Sequence, residues 1–93
     1  MKRPAKMSST VIVPQVLRAL RKAANTKHVV NITYIDSKGA TTIRATEPYD
    51  IKDGKYWGFC LERGSIRQFS LGNITNAVVT DLKYTPRWPV NIL

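Results

Sequence analysis

The hydrophobic periodicity of this chain changes once, near residue 27, and that change constrains the fold more than any other feature. Before it, the apolar side chains of Val16, Leu17, Leu20, Ala23 and Ala24 fall on one arc of a helix with 3.6 residues per turn. After it, the pattern alternates with a period of two and is rich in β-branched residues, which is typical of strands. The sequence therefore predicts one amphipathic helix followed by β-structure.

The limits of these elements follow from turn and breaker residues. Pro14 suits the first turn of a helix, where its missing N–H group costs nothing, and Asn25 is a suitable stop, so we predict the helix over residues 14–25. The segment Glu47-Pro48-Tyr49 is expected to break a strand ladder, because proline donates no hydrogen bond. The remaining turns divide the chain into five short strands, at about residues 28–35, 40–46, 56–62, 65–71 and 77–84.

One helix followed by five short strands predicts a mostly β fold: a small Sm-like or SH3-like five-stranded barrel preceded by one N-terminal α-helix. Closure of a barrel removes the exposed strand edges that favour aggregation. A chain of 93 residues has room for one core, so we expect a flexible basic arm at residues 1–13 and a single domain at residues 14–93. The helix is expected to meet a core that contains Ile32, Trp57, Phe59 and Leu61.

The net charge of +9 is concentrated at one end of the chain. Residues 1–27 hold seven basic residues and no acidic one, whereas the rest of the chain carries only +2. This layout favours sequence-independent attraction to phosphates, with Arg18, Arg21 and Lys22 of the helix as backbone contacts. The alternative is a terminus that serves only solubility.

Several classes of protein are disfavoured by composition. With one cysteine, Cys60, and one histidine, His28, the chain has too few ligands for a structural zinc site and no internal disulfide. The carboxylates of Asp36, Asp50 and Asp53 fall in or beside turns, so no acid and base pair is apparent. No apolar run approaches the ~20 residues that a membrane helix needs. We therefore expect a cytoplasmic, non-catalytic protein without metal or cofactor.

Two arginines of the predicted strands are candidates for ligand binding. Arg44 shares its side of the pleat with Thr42 and Thr46, and Arg67 shares its side with Phe69. A guanidinium group at such a position either extends to the surface or forms a bidentate contact with phosphate oxygens.

Three further residues are weighed as ligand contacts. Arg63 lies in a predicted turn, where any long polar residue would serve equally well. Tyr34 and Tyr56 offer rings on which nucleic-acid bases can stack. The alternative for both tyrosines is a ring packed on the sheet with its hydroxyl group in water.

Two segments of the chain carry a composite motif, LRALRKAANTKHVVNITYIDSKGATTIRATEP and GKYWGFCLERGSIRQFSLGNIT. They contain a helix, a strand that ends in tyrosine, a segment with Gly, Arg and Pro, and a later RG and R-x-F segment. This pattern resembles that of the WYL domain family, and the resemblance covers residues 14–84. The matching positions are Tyr34, Gly39, Arg44, Pro48, Cys60, Arg63, Gly64, Arg67, Phe69, Leu71 and Ile74. The naming tripeptide is replaced by Lys55-Tyr56-Trp57 or nearby residues.

The resemblance implies a small Sm-like barrel that serves as a regulatory, ligand-binding module, usually beside a helix-turn-helix, with nucleic acid or a nucleotide as its ligand. Residues 1–27 have space for a single helix, so we expect a stand-alone member of the kind carried by phages or mobile elements. The candidate ligand-binding residues are Tyr34, Arg44, Tyr56, Arg63 and Arg67.

The leading hypothesis is a non-catalytic regulatory module that binds single-stranded nucleic acid or a small nucleotide. The alternative is a protein-interaction or assembly module, including a homo-oligomer, that docks through the helix or the C-terminal PRWPV segment. Trp88 of that segment either covers the surface of its own domain or anchors a partner. An enzyme is disfavoured, because no nucleophile and base are seen together.

Overall fold

The computed structural model describes residues 12–92 and contains one helix and five strands. The elements are α1 (Pro14–Thr26), β1 (His28–Ile35), β2 (Thr41–Lys52), β3 (Lys55–Cys60), β4 (Ser65–Ser70) and β5 (Ile74–Lys83), with a 3-10 turn at Leu71–Asn73. All neighbouring strands are antiparallel. The predicted mostly β fold with one helix and five strands is confirmed.

The sheet is open. Its strand order is β4-β3-β2-β1-β5, and no pairing joins the edge strands β4 and β5 within the part of the chain that the structure describes. Closure into a Sm-like or SH3-like barrel is therefore not confirmed. Most of the predicted basic arm, residues 1–11, lies outside the described residues, and Val13 at its end packs against the core.

Strand β2 is longer than its sequence predicts, because Pro48 does not end it. The strand pairs with β1 as far as Thr46 and with β3 from Thr46 to Lys52. The register shifts between Pro48 and Asp50, so Tyr49 is an extra residue in a β-bulge, a place where a sheet tolerates proline. The predicted end of this strand at residue 46 was wrong for that reason.

The helix ends at Thr26, one residue later than predicted. Lys27, rather than Asn25, adopts the left-handed conformation (φ 59°, ψ 50°), and its backbone N–H group bonds to the carbonyl of Ala23. The apolar arc is confirmed as the packing face, since Val16, Leu20, Ala23 and Ala24 are buried.

The face of the sheet that carries Val30 and Ile32 packs against α1 and is called the inner face below. Residues opposite each other on paired strands share a face, so the register assigns every strand position to one side. The core consists of α1 and the inner-face side chains, including Tyr56, Phe69, Leu71, Ile74 and Ala77.

The prediction for the faces of β3 was wrong. Tyr56 and Cys60 are buried on the inner face, whereas Trp57 and Phe59 are half-buried on the other face. Leu61 lies in the following turn and is exposed. Alternation identifies two faces of a strand, but pairing with β2 decides which of them is inner.

The C-terminal segment, residues 84–92, folds back onto β2 and β3. The ring of Trp88 lies edge-on to Tyr49, with centroids 5.3 Å apart. Its centroid lies 6.2 Å from that of the Phe59 ring. The backbone N–H of Asn91 donates to the carbonyl of Tyr49 at 2.7 Å, and Ile92 joins the core. Trp88 therefore covers its own domain, although 47% of its surface stays exposed.

A buried carboxylate fixes this segment. Glu47, with 5% of its side chain exposed, accepts bonds from Arg87 Nε at 3.0 Å and Arg87 Nη2 at 3.3 Å. The hydroxyl of Tyr49 donates to the same carboxylate at 2.9 Å, and the guanidinium lies 4.0 Å from the centroid of the Phe59 ring. The hydrogen bonds from Arg87 to Glu47 raise the pKa of the guanidinium. Glu47, Tyr49 and Arg87 are called the Glu47 cluster below.

Candidate ligand-binding site

A cavity of about 180 Å³ lies between the two β-hairpins of the sheet. The β1–β2 hairpin lines it with Tyr34, Asp36, Thr42 and Arg44, and the β3–β4 hairpin lines it with Cys60, Arg63, Arg67, Gln68 and Phe69. Because it contains Arg44, Arg63 and Arg67, we call it the arginine cavity. Four of the five predicted ligand-binding residues, Tyr34 and these three arginines, line it together.

The strand register explains why the two strand arginines converge. Arg44 lies opposite Ile32 on β1, and Arg67 lies opposite Gly58 on β3. Both therefore belong to the inner face, which elsewhere carries the core. Arg44 is well enclosed there, with 21% of its side chain exposed. The arginine cavity thus opens from the inner face beside the core, with Arg44 enclosed and the exposed side chains of Arg63 and Arg67 nearer to solvent.

Tyr56, the fifth predicted contact, is a core residue instead. It is fully buried, and its hydroxyl lies 2.7 Å from Thr46 Oγ1. Burial raises the pKa of this phenol, so it stays protonated. The ring passes over Gly58, where an added Cβ would lie 2.8 Å from the hydroxyl oxygen. A base cannot stack on this ring, and the sequence-based interpretation of Tyr56 is corrected accordingly.

Aromatic contacts fix one wall of the arginine cavity. The Phe69 ring stacks on Tyr56, with centroids 6.0 Å apart and planes at 28°, and meets Tyr34 edge-on at 5.0 Å and 81°. Phe69 and Tyr34 both line the cavity, so aromatic ring surface lies beside its arginines. Phe69 is a site residue that sequence reasoning did not select, although its position two residues after Arg67 on a strand places it on the same face.

The three arginines differ in their partners. Arg44 Nη1 lies 2.8 Å from Glu62 Oε1, and 70% of the Glu62 side chain is exposed. Within residues 12–92, no carboxylate lies within ion-pair distance of Arg63 or Arg67. The net charge of the lining is therefore positive, which suits an anion.

Asp36 lines the same cavity but is engaged with the backbone. Its Oδ1 accepts hydrogen bonds from the N–H groups of Lys38 and Ala40, both at 2.9 Å. These bonds close the turn of the β1–β2 hairpin. The role of Asp36 is thus to shape the rim of the cavity.

The helix cations lie away from the arginine cavity. Arg18 and Lys22 border a shallow groove between α1 and β5, and Arg21 lies beside Leu17 and Ile92. None of the three lines the arginine cavity. Any contact that they make with a ligand is therefore separate from the cavity.

The remaining chemistry of the described residues is limited. Cys60 is a free thiol that is almost fully buried, as expected of a small hydrophobic residue. Among residues 12–92, no group of three or more His, Cys, Asp or Glu side chains is placed to hold a metal ion. No helix in this part of the chain is long and apolar enough to span a membrane.

Comparison with known proteins agrees with the sequence resemblance. A search of curated proteins found no significant match. The structure is similar to Proteasome accessory factor B/C (PafBC) of Arthrobacter aurescens, with a TM-score of 0.68 and 25% sequence identity. That match covers 82% of this chain but only 13% of the other. The family model of the WYL domain matches residues 15–79, so this chain belongs to the WYL domain family.

Proposed function

We propose that this WYL domain is a non-catalytic regulatory module that binds a phosphate-bearing ligand, either single-stranded nucleic acid or a small nucleotide. The observation that carries the proposal is the convergence of three arginines and two aromatic rings on one cavity. Family membership and the likeness to PafBC suggest a regulatory, ligand-binding role in general. The three arginines of the cavity support phosphate as the group that is bound.

Guanidinium groups suit phosphate because two parallel N–H donors match two of its oxygens. Arg67 extends from a strand, which holds its side chain more rigidly than a tail would, and it has no carboxylate partner among the described residues. Tyr34 and Phe69 provide ring surface beside these donors for a base or sugar.

The size of the arginine cavity limits what can enter it. Its volume of about 180 Å³ is below the range of about 300–1,000 Å³ found for pockets that enclose drug-sized ligands. It therefore accommodates one phosphate with part of the neighbouring nucleoside. A longer strand would place one nucleotide in the cavity and run outside it, where the helix cations add sequence-independent attraction.

Arg67 provides the test of this function. We expect wild-type protein to bind short oligothymidylate and thymidine nucleotides in calorimetric titrations, and we expect Arg67→Ala to weaken binding tenfold or more. Arg67→Lys should weaken it nearly as much, because lysine keeps the charge and loses the planar fork. Arg21→Lys is the matched control outside the cavity and should bind like wild type.

Three results would contradict the proposal. Absence of binding to nucleotides, single-stranded DNA and RNA at low salt would exclude the function. Full binding by Arg67→Lys would show that this residue supplies only charge. A large loss of thermal stability in either Arg67 variant would show that the residue is structural.

Docking of a partner through the PRWPV segment has less support. Arg87 is held by Glu47, and Trp88 packs on Tyr49 and Phe59 of the same chain. A partner that used these side chains would first have to replace contacts that the domain already makes.

A further inference from the structure

We propose that Glu62 is a specificity-determining residue of the arginine cavity: it competes with the ligand for Arg44 and discriminates against phosphate monoesters in favour of phosphodiesters. The inference rests on the proposed function. It refines that function by specifying which kind of phosphate the cavity accepts. It is carried by the ion pair between Arg44 and Glu62 and by the unequal burial of its two members.

The two members of the pair differ in their freedom to move. Arg44 projects from the first part of β2 onto the inner face and is mostly enclosed. Glu62 lies in the turn of residues 61–64, and most of its side chain is exposed. The contact is a single one, from Nη1 to Oε1, which leaves the second terminal nitrogen of Arg44 outside the ion pair. The Glu62 carboxylate can therefore break the ion pair at little cost in free energy, since water then solvates it. Arg44 stays in the cavity wall.

Glu62 does not itself line the cavity, but it engages Nη1 of Arg44, a donor that a ligand oxygen could otherwise use. An incoming phosphate must replace the carboxylate on Arg44 or share the guanidinium with it. In the first case Glu62 lowers affinity by competition. In the second, the carboxylate repels the bound anion, and the repulsion grows with the charge of the phosphate.

The charge of the phosphate then decides which ligands are accepted. A phosphodiester carries one negative charge, whereas a monoester carries about −1.5 to −2 at neutral pH. Because Arg63 and Arg67 have no carboxylate partner among the described residues, the lining still attracts a single charge. Glu62 thereby weakens binding of free mononucleotides more than binding of a phosphate within a strand.

The test uses Glu62→Gln, which removes the charge and keeps the shape of the side chain. Calorimetric titration with thymidylyl-(3′→5′)-thymidine and with thymidine 5′-monophosphate compares a diester with a monoester. We expect tighter binding of both probes by the variant, by about three- to tenfold for the monoester and by less for the diester. Asp81→Asn, an exposed acid on β5 outside the cavity, is the control for net charge and should change both affinities less than twofold.

The outcomes separate this inference from the proposed function. Weaker binding of both probes by Glu62→Gln would show that Glu62 positions Arg44 for the ligand and would overturn the inference alone. Equal effects of Glu62→Gln and Asp81→Asn would overturn it as well, because only net charge would then matter. If neither wild type nor Glu62→Gln binds either probe, the proposed function is wrong and the inference is wrong with it. The unfolding midpoint of Glu62→Gln should stay close to that of wild type, which excludes misfolding as the cause of any change.

Discussion

Two ion pairs between arginine and glutamate lie in different regions of this domain, and their burial is opposite. In the Glu47 cluster the carboxylate is buried and the guanidinium of Arg87 is half-exposed. At the arginine cavity the guanidinium of Arg44 is the enclosed member and Glu62 is exposed. The arginine is therefore the more exposed member of one pair, and the glutamate is the more exposed member of the other.

The difference predicts different roles. A buried carboxylate that loses its donors stays desolvated and unpaired, so Glu47 needs both Arg87 and Tyr49 for the fold to be stable. An exposed carboxylate that loses its partner returns to water, and its arginine becomes available to another anion. The Glu47 cluster thus stabilises the C-terminal segment. At the arginine cavity, we expect a ligand anion to be able to replace Glu62 as the partner of Arg44.

The largest effect that tests this contrast is expected at Glu47. Glu47→Ala removes the acceptor of three hydrogen bonds from Tyr49 and Arg87, and it should lower the free energy of unfolding by about 1–3 kcal/mol. Urea unfolding followed by tryptophan fluorescence measures the loss. Ligand affinity of the folded protein should not change. An affinity loss without a stability loss would show that the cluster, rather than the cavity, contacts the ligand.

The second prediction removes the arginine of each pair and compares nucleotide affinity with unfolding stability in the two variants. Arg44→Ala should weaken nucleotide binding about tenfold, which corresponds to about 1.4 kcal/mol, and should lower the free energy of unfolding by no more than about 1 kcal/mol. Arg87→Ala should lower the unfolding midpoint and leave nucleotide affinity unchanged. If both variants lost stability and kept binding, the two pairs would be equivalent and the contrast would be wrong.

Alkaline pH provides a third, smaller test, because the region around the Glu47 cluster holds tyrosines whose pKa is raised by burial. This holds for Tyr49 and for Tyr84, whose hydroxyl donates to the Pro48 carbonyl at 2.7 Å. In the unfolded chain these phenols ionise near pH ~10, whereas in the fold they stay protonated. Their stabilising contribution is thus complete below that pH and is lost as pH rises above it.

Tyr84→Phe measures this contribution. The limiting slope for one such group is about 1.4 kcal/mol per pH unit, and the partial exposure of Tyr84 narrows the pH range over which this slope applies. Urea unfolding between about pH 9 and about pH 11 should therefore show a shallower decline for the variant than for wild type. Parallel declines would show that Tyr84 ionises equally in the folded and unfolded states.

The sequence predicts local structure well where the signal is periodic. The arc of Val16, Leu20 and Ala23 predicted the packing face of α1, and the alternation around Arg44 and Arg67 placed each beside the correct neighbours. The convergence of these arginines with Tyr34 and Arg63 at one cavity is what the pattern alone did not show. The family resemblance put these residues forward as ligand contacts, and only the fold shows that they meet.

Long-range pairing accounts for what the sequence did not predict. The face of Tyr56 depends on pairing with β2, and the passage of β2 through Pro48 depends on a bulge opposite β3. The ion pair between Arg44 and Glu62 joins residues 18 positions apart. Neither hydrophobic period nor turn chemistry carries information about such contacts, because each depends on how the hairpins come together.

The smallest expected effect concerns the helix cations, and it shows whether the contrast between the two ion pairs accounts for all of the binding. Lys22 borders the groove beside β5 and does not line the arginine cavity, so it can supply only diffuse attraction to a phosphate outside the cavity. Lys22→Ala should make the dependence of log affinity on log salt less steep by about 0.7 for single-stranded DNA, which amounts to a two- to threefold difference between about 50 and about 200 mM salt. Binding of thymidine 5′-monophosphate should not change, because that ligand ends at the cavity. An unchanged salt dependence for the strand would mean that the DNA does not pass over the helix, and a loss of mononucleotide binding would place Lys22 within the site itself.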